Sequence, residues 1–182
     1  MENPVEIATT INELIKHDGY ELIENDAGIY KVATGNPASP AEVVAHFEDI
    51  RRQIKECIRD AKFSIWVAVA WFTDRELGNE LRLKHNSGLN VRVIVNNDQI
   101  TEQHGLDFDT KGIEYIKLDS SVPHKIMHNK FCVIDLETVI HGSYNWTRNA
   151  ERNDESVTIV EDFQLAREFA AEFIRLAQQN DA

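Results

Sequence analysis

Hydrophobic positions along the chain change period several times, and each change predicts an element. Residues 5–16 place Ile7, Ile11, Leu14 and Ile15 at helical spacing and end at His17-Asp18-Gly19. Residues 20–23 and 29–32 read as two short strands around Asn25-Asp26-Ala27-Gly28. A helix and a hairpin thus form a small N-terminal module over residues 1–36. Gly35-Asn36-Pro37-Ala38-Ser39-Pro40 breaks the pattern, and Ser39-Pro40 suits an N-cap followed by a first helical position. A second domain is expected over residues 37–182.

Within it, Val43, Val44, Phe47, Ile50, Ile54, Cys57 and Ile58 recur on one helical face, which predicts a helix over residues 41–61. Apolar, β-branched runs at 63–72 and 91–95 predict buried strands on either side of an amphipathic segment at 76–85. Further strands are expected at 113–116, 130–135, 138–141 and 156–160, and a closing helix at 163–178. Strands alternating with helices predict an α/β fold in which a mixed central β-sheet is flanked by helices, an α/β/α sandwich.

Composition narrows what such a fold can be doing. A chain of 182 residues with 42% hydrophobic content can bury one substantial core. Its longest apolar run is far shorter than the roughly 20 residues a membrane span needs, so no stable membrane association is expected. The first residues, Met1-Glu2-Asn3-Pro4-Val5-Glu6, have neither a basic start nor an apolar stretch, and the expectation is a cytoplasmic protein. Cys57 and Cys132 lie in apolar stretches far apart, a pattern of buried thiols. A net charge of −12 weighs against a broad nucleic-acid-binding surface, although a local cleft can be basic on an acidic body.

The chemistry concentrates between His128 and Asn145. His128, Lys130, Asp135, Gly142, Ser143 and Asn145 form the pattern H-x-K-x4-D-x6-G-S-x-N. Chance would produce it in roughly one chain of this length in a few hundred thousand. A phosphodiester is anionic and resists attack, so its cleavage needs cations and donors on the non-bridging oxygens, a nucleophile, and an acid for the leaving oxygen. His128 and Lys130, two apart on an alternating strand, share a face. Ser143 and Asn145 follow the same alternation and offer donors, and Gly142 permits close backbone approach. Asp135 stands at the far end of the strand.

These residues resemble the signature of the phospholipase D superfamily at all six specified positions. The resemblance extends from the helix after Pro40 to the C-terminus, and residues 1–36 fall outside it. It implies that His128 forms a covalent phosphohistidine, that Lys130 and Asn145 hold the phosphate with support from Ser143, and that Asp135 is mainly structural. It also implies that Glu155, with Asp154 as the alternative, bonds the second ring nitrogen of His128. Catalysis without metal ion or cofactor is implied as well.

The family mechanism uses two such motifs and this chain has one, which implies a two-fold homodimer with a His128 from each subunit. Small one-motif members are most often nucleases, so the implied substrate is nucleic acid, DNA or RNA. Lys111, Lys117, Lys125, Lys130, Arg148 and Arg152 are candidates for a basic mouth. Lipid phosphodiester hydrolysis is the alternative, and a non-catalytic nucleic-acid-binding or scaffold role the third. A metal site at His124 and His128 would need a helix, which Pro123 and the strand-like run after Asn129 oppose. Trp66, Trp71 and Trp146 read as core or cleft wall, with Trp146 beside Asn145 a candidate site lining. The N-terminal module is expected either to pack as an extension or to bind another protein.

Overall fold

The computed structural model describes residues 20–25, 28–33, 41–109, 112–119 and 126–179. The chain divides into two compact units, Met1–Ala41 and Glu42–Ala182. In the first, β1 (Tyr20–Asn25) pairs antiparallel with β2 (Gly28–Ala33), from Tyr20 opposite Ala33 to Asn25 opposite Gly28. The helix expected at 5–16 and the breaker cluster at 35–40 lie outside the described residues.

The second unit is built on a seven-stranded sheet. Its strands are β3 (Glu42–His46), β4 (Ser64–Val69), β5 (Asn90–Asn96), β6 (Glu114–Leu118), β7 (Lys130–Ile134), β8 (Thr138–Gly142) and β9 (Val157–Glu161). They lie in the order β3-β9-β8-β7-β4-β5-β6. β4, β5 and β6 run parallel, whereas β7 is antiparallel to both β4 and β8, so the sheet is mixed. Helices α1 (Ile50–Asp60) and α2 (Arg75–Asn86) cover one face through Ile54, Ile58, Leu77 and Leu81. Helix α4 (Phe163–Gln178) covers the other through Ala166, Ala170, Phe173 and Leu176. Burying each large side chain of this kind contributes roughly 1.5–3 kcal/mol. α4 has the bounds its apolar periodicity predicts, starting after Asp162, whose carboxylate caps the amide of Leu165 at 2.6 Å. A short helix α3 (Gln99–His104), capped by Asp98, follows β5.

One expectation fails. The predicted helix over residues 41–61 is two elements, β3 and α1, separated by a bend at Phe47 to Asp49. Asp49 adopts a left-handed conformation, φ 51°, which breaks the backbone path before the helix begins. Val43 and Val44 are β-branched, and pairing of β3 with β9 supplies the hydrogen bonds a helix would have given them. Val43 is 60% exposed, so its apparent place on a buried helical face was coincidental.

Candidate active site

The motif residues divide between the two ends of β7. At one end, Asp135 enters the turn to β8 in a left-handed conformation, φ 56°, which aspartate tolerates better than most residues. Its buried carboxylate accepts the backbone N–H groups of Lys62 at 2.7 Å, Phe63 at 2.9 Å and Ser64 at 2.8 Å. It therefore ties the β7–β8 turn to the entry of β4.

The other motif side chains gather at the opposite end. His128 precedes β7 and is exposed, and the carbonyl of its neighbour Asn129 accepts the N–H of Ala70 at 3.1 Å. This bond fixes the segment against the end of β4. Lys130, half-buried, donates to the carbonyl of His128 at 2.9 Å. Burial lowers the Lys130 pKa from the usual lysine value, and the nearby Glu155 carboxylate opposes that shift.

Ser143 and Asn145 lie beyond the end of β8, so hydrogen bonds rather than strand alternation aim them. Gly142 is needed there: a Cβ would stand 2.1 Å from the carbonyl oxygen of Ser156. Gly142 thus permits β8 to approach the segment entering β9. Across this contact the Ser143 N–H donates to the Ser156 carbonyl at 3.0 Å, and the Ser156 N–H donates to the Ser143 hydroxyl at 3.1 Å. That hydroxyl in turn donates to Glu155, whose other oxygen accepts the Asn153 amide at 3.4 Å. Glu155 is therefore held by Ser143 and Asn153, and no described residue hydrogen-bonds the imidazole of His128. Asp154 is exposed and bonds to none of the described residues. Asn145 is half-buried, with a side-chain oxygen that accepts no hydrogen bond.

Trp71 and Trp146 take different roles. Trp146 is buried, edge-on to Phe72 with ring centres 5.1 Å apart, and belongs to the core. Its carbonyl accepts the N–H groups of Thr73 and Asp74, both at 2.9 Å, and so pins the loop after β8 to the start of α2. Trp71 forms the wall of the site, edge-on to the His128 ring at 6.1 Å, with its indole N–H donating to Asp98 at 2.7 Å. The part played by Asp98 was not read from the sequence. Of the expected basic mouth, Lys111 and Lys125 lie outside the described residues, as does His124, and Lys117 rests on the ring of Tyr115. Burial pushes Cys57 up to about 11 and Cys132 well above the usual thiol value, so neither supplies a thiolate at neutral pH.

This fold and this cluster define a class, and sequence comparison defines it independently. The family model described as "Cardiolipin synthase, PLD-like domain" matches residues 54–177. The chain therefore belongs to the phospholipase D superfamily, which comprises phosphodiesterases. It is 32% identical over 175 residues to the human protein named mitochondrial cardiolipin hydrolase, covering 94% of this chain and 64% of that one. The mouse protein of the same name is 31% identical over 156 residues, 82% of this chain and 69% of its own length. Across such relatives, from mouse to Chlamydomonas reinhardtii, the chain spans between 49% and 69% of their length. Among solved structures, the phospholipase D family member Nuc from Salmonella typhimurium shares the fold, with a TM-score of 0.68 at 23% identity over 76% of this chain and 95% of that one.

These relatives overturn the expected cytoplasmic location, since the human, mouse, dog and algal proteins are all named as mitochondrial. An unremarkable N-terminal hexapeptide carries no information about destination that outweighs them. Among the described residues, no helix is long and apolar enough to cross a membrane.

Proposed function

We propose that the chain is a metal-independent phosphodiesterase that cleaves nucleic acid through a covalent phosphohistidine, in a site completed by a second copy of itself. The observation that carries this reading is the state of His128: exposed, with a ring free of hydrogen bonds from described residues, and a backbone carbonyl that accepts the Lys130 ammonium. It has the form of half a site.

In the proposed mechanism, one imidazole nitrogen of His128 attacks phosphorus as the bond to the leaving oxygen breaks. His128 of the second subunit, protonated, gives its proton to that oxygen. A water then attacks the phosphohistidine, losing its proton to the second imidazole, and the P–N bond breaks to restore both histidines. Lys130 and Asn145 hold the non-bridging oxygens, whose charge develops during attack. Ser143 and Asn153 hold Glu155 close to Lys130, where its charge favours the ammonium. The two imidazoles start in opposite protonation states, so the pH–rate profile is bell-shaped.

Nucleic acid is favoured by an open, polar site with Arg148 and Arg152 exposed on the same loop as Asn145. A second reading, phospholipid hydrolysis, is favoured by the names of the relatives and by Ile126, an exposed apolar residue two positions before His128. The deciding experiment measures cleavage of labelled DNA, RNA and cardiolipin-containing vesicles in excess EDTA, for wild type and His128→Ala, with the mass in solution. The proposal expects nucleic-acid turnover that survives chelation, a dimeric mass, and a loss of about 10⁴-fold or more in the variant. Turnover of vesicles alone selects the second reading. Full activity from a strict monomer removes the shared site.

A further inference from the structure

In a chain with 31 acidic and 19 basic residues, cations are expected to find carboxylates. Among the described residues Arg51, Arg52, Lys55, Arg59, Arg92 and Arg175 all do so. Several described cations form no ion pair with a described residue, and three of them, Arg75, Arg148 and Arg152, line one cavity of about 270 Å³.

Its walls also contain Asp74, Glu76 and Glu151, and these acids are already engaged. The guanidinium of Arg51, only 16% exposed, reaches Asp74 at 2.7 Å, Glu76 at 3.0 Å and Glu151 at 2.7 Å. Glu76 also takes Lys55 at 2.8 Å, and that hydrogen bond first, then the charges of Lys55 and Arg51, hold its carboxyl below the usual range. Asp74 additionally caps α2, accepting the N–H groups of Glu76 and Leu77. Arg148 adds only a weaker electrostatic contact to Glu76. Three guanidinium forks are thus left without a bidentate acceptor. A fork of this geometry matches phosphate. Converging like charges repel, and the arrangement persists because Arg51 and the bonds from Thr73 and Asp74 to Trp146 hold the loop against α2.

Two chain segments link the lining of the cavity to the catalytic cluster. Arg148 follows Asn145 by three residues on the loop leaving β8, and Arg75 follows Trp71, the neighbour of His128, by four. We propose that this cavity is a second phosphate subsite, which binds a phosphate flanking the scissile one on a nucleic-acid strand. The inference rests on the nucleic-acid reading above and adds the residues that hold the strand.

The test uses the full chain carrying His128→Ala, which removes the proposed nucleophile, and a labelled single-stranded oligonucleotide titrated across a salt series. Adding R75Q, R148Q and R152Q is expected to weaken binding about 10-fold at moderate salt and to flatten the log–log salt slope by about one to two, as loss of one to three phosphate contacts should. R59Q, R167Q and R175Q together remove three charges elsewhere and are expected to shift affinity less than about twofold, since long-range steering alone is screened. An unchanged slope in the first set, in a variant that melts at the parent temperature, or equal losses in both sets, overturns the subsite. Hydrolysis of bis(p-nitrophenyl) phosphate by wild type separates the two ideas. A chain that cleaves this reporter but binds no oligonucleotide overturns the inference and spares phosphodiesterase activity. Arginine-dependent binding by a chain that cleaves nothing supports the inference and removes the catalytic reading.

Discussion

The two ends of β7 carry parts of one sequence motif and are built on opposite principles. At the Asp135 end a buried carboxylate meets three backbone donors. At the His128 end an imidazole stands exposed, and its lysine neighbour bonds a backbone carbonyl rather than the ring. The first end is closed: every strong bond is made within the chain. The second is held by backbone bonds from Ala70 and Ser143 while the His128 ring and the side-chain oxygen of Asn145 remain available. A spaced motif can thus join a buried staple to an exposed imidazole because one strand separates them.

The sharpest way to break this contrast is to exchange the demands on the two ends. Asp135→Ala leaves three N–H groups without a charged acceptor and is expected to cost about 4 kcal/mol, less than the full sum because Lys62 and Phe63 reach water. Asp135→Asn keeps one oxygen for Phe63 and Ser64 and should cost about half of that. His128→Ala, by contrast, should stay within about 0.5 kcal/mol of wild type. Urea unfolding of the three variants measures the difference, and a comparable loss from His128→Ala would remove the distinction between the ends.

Gly142→Ala probes the frame of the reactive end. With a Cβ forced onto the Ser156 carbonyl, β8 and the segment before β9 must separate, at an expected cost of about 2 kcal/mol. Turnover should fall further than stability, because the same displacement moves Ser143 and Glu155. Thermal melting and kcat read the two losses separately.

The smallest effect concerns pH. Burial lowers the Lys130 pKa and Glu155 raises it, so Glu155→Gln removes the opposing influence and leaves the ammonium easier to deprotonate. The titration of Lys130, followed by the NMR shift of its labelled side-chain carbon, is expected to move to lower pH in this variant. A titration that stays fixed would mean that Glu155 does not act on Lys130.

Much of this was legible in the residues and some was not, for physical reasons. The long periodic helix at 163–178 and the β-branched runs that became β4 and β5 impose their own conformation, so local pattern sufficed. β3 was missed because five residues do not distinguish a strand from a helical turn, and its partner β9 lies at the far end of the domain. The residues that gather at the His128 end could be named from spacing, but the partner of Glu155 could not. Spacing brings the carboxylate near the cluster, and the close contact at Gly142 determines that it meets Ser143. The role of Trp71 depends on where β4 ends relative to His128, which no single segment encodes.

The strand order has a consequence for how the molecule is made. Ile65 sits between Val91, which follows it soon, and Ile134, while Glu42 waits for Glu161. During synthesis the parallel half of the sheet can pair early, but β4 keeps one edge open until β7 emerges, and β3 stays unpaired until nearly the whole domain has been translated. The loop bearing Ser143 and Asn145 gains its anchor on Ser156 only when the segment entering β9 has arrived. A nascent chain that already contains His128 and Lys130 therefore lacks the assembled cluster, which is acquired only at the end of folding.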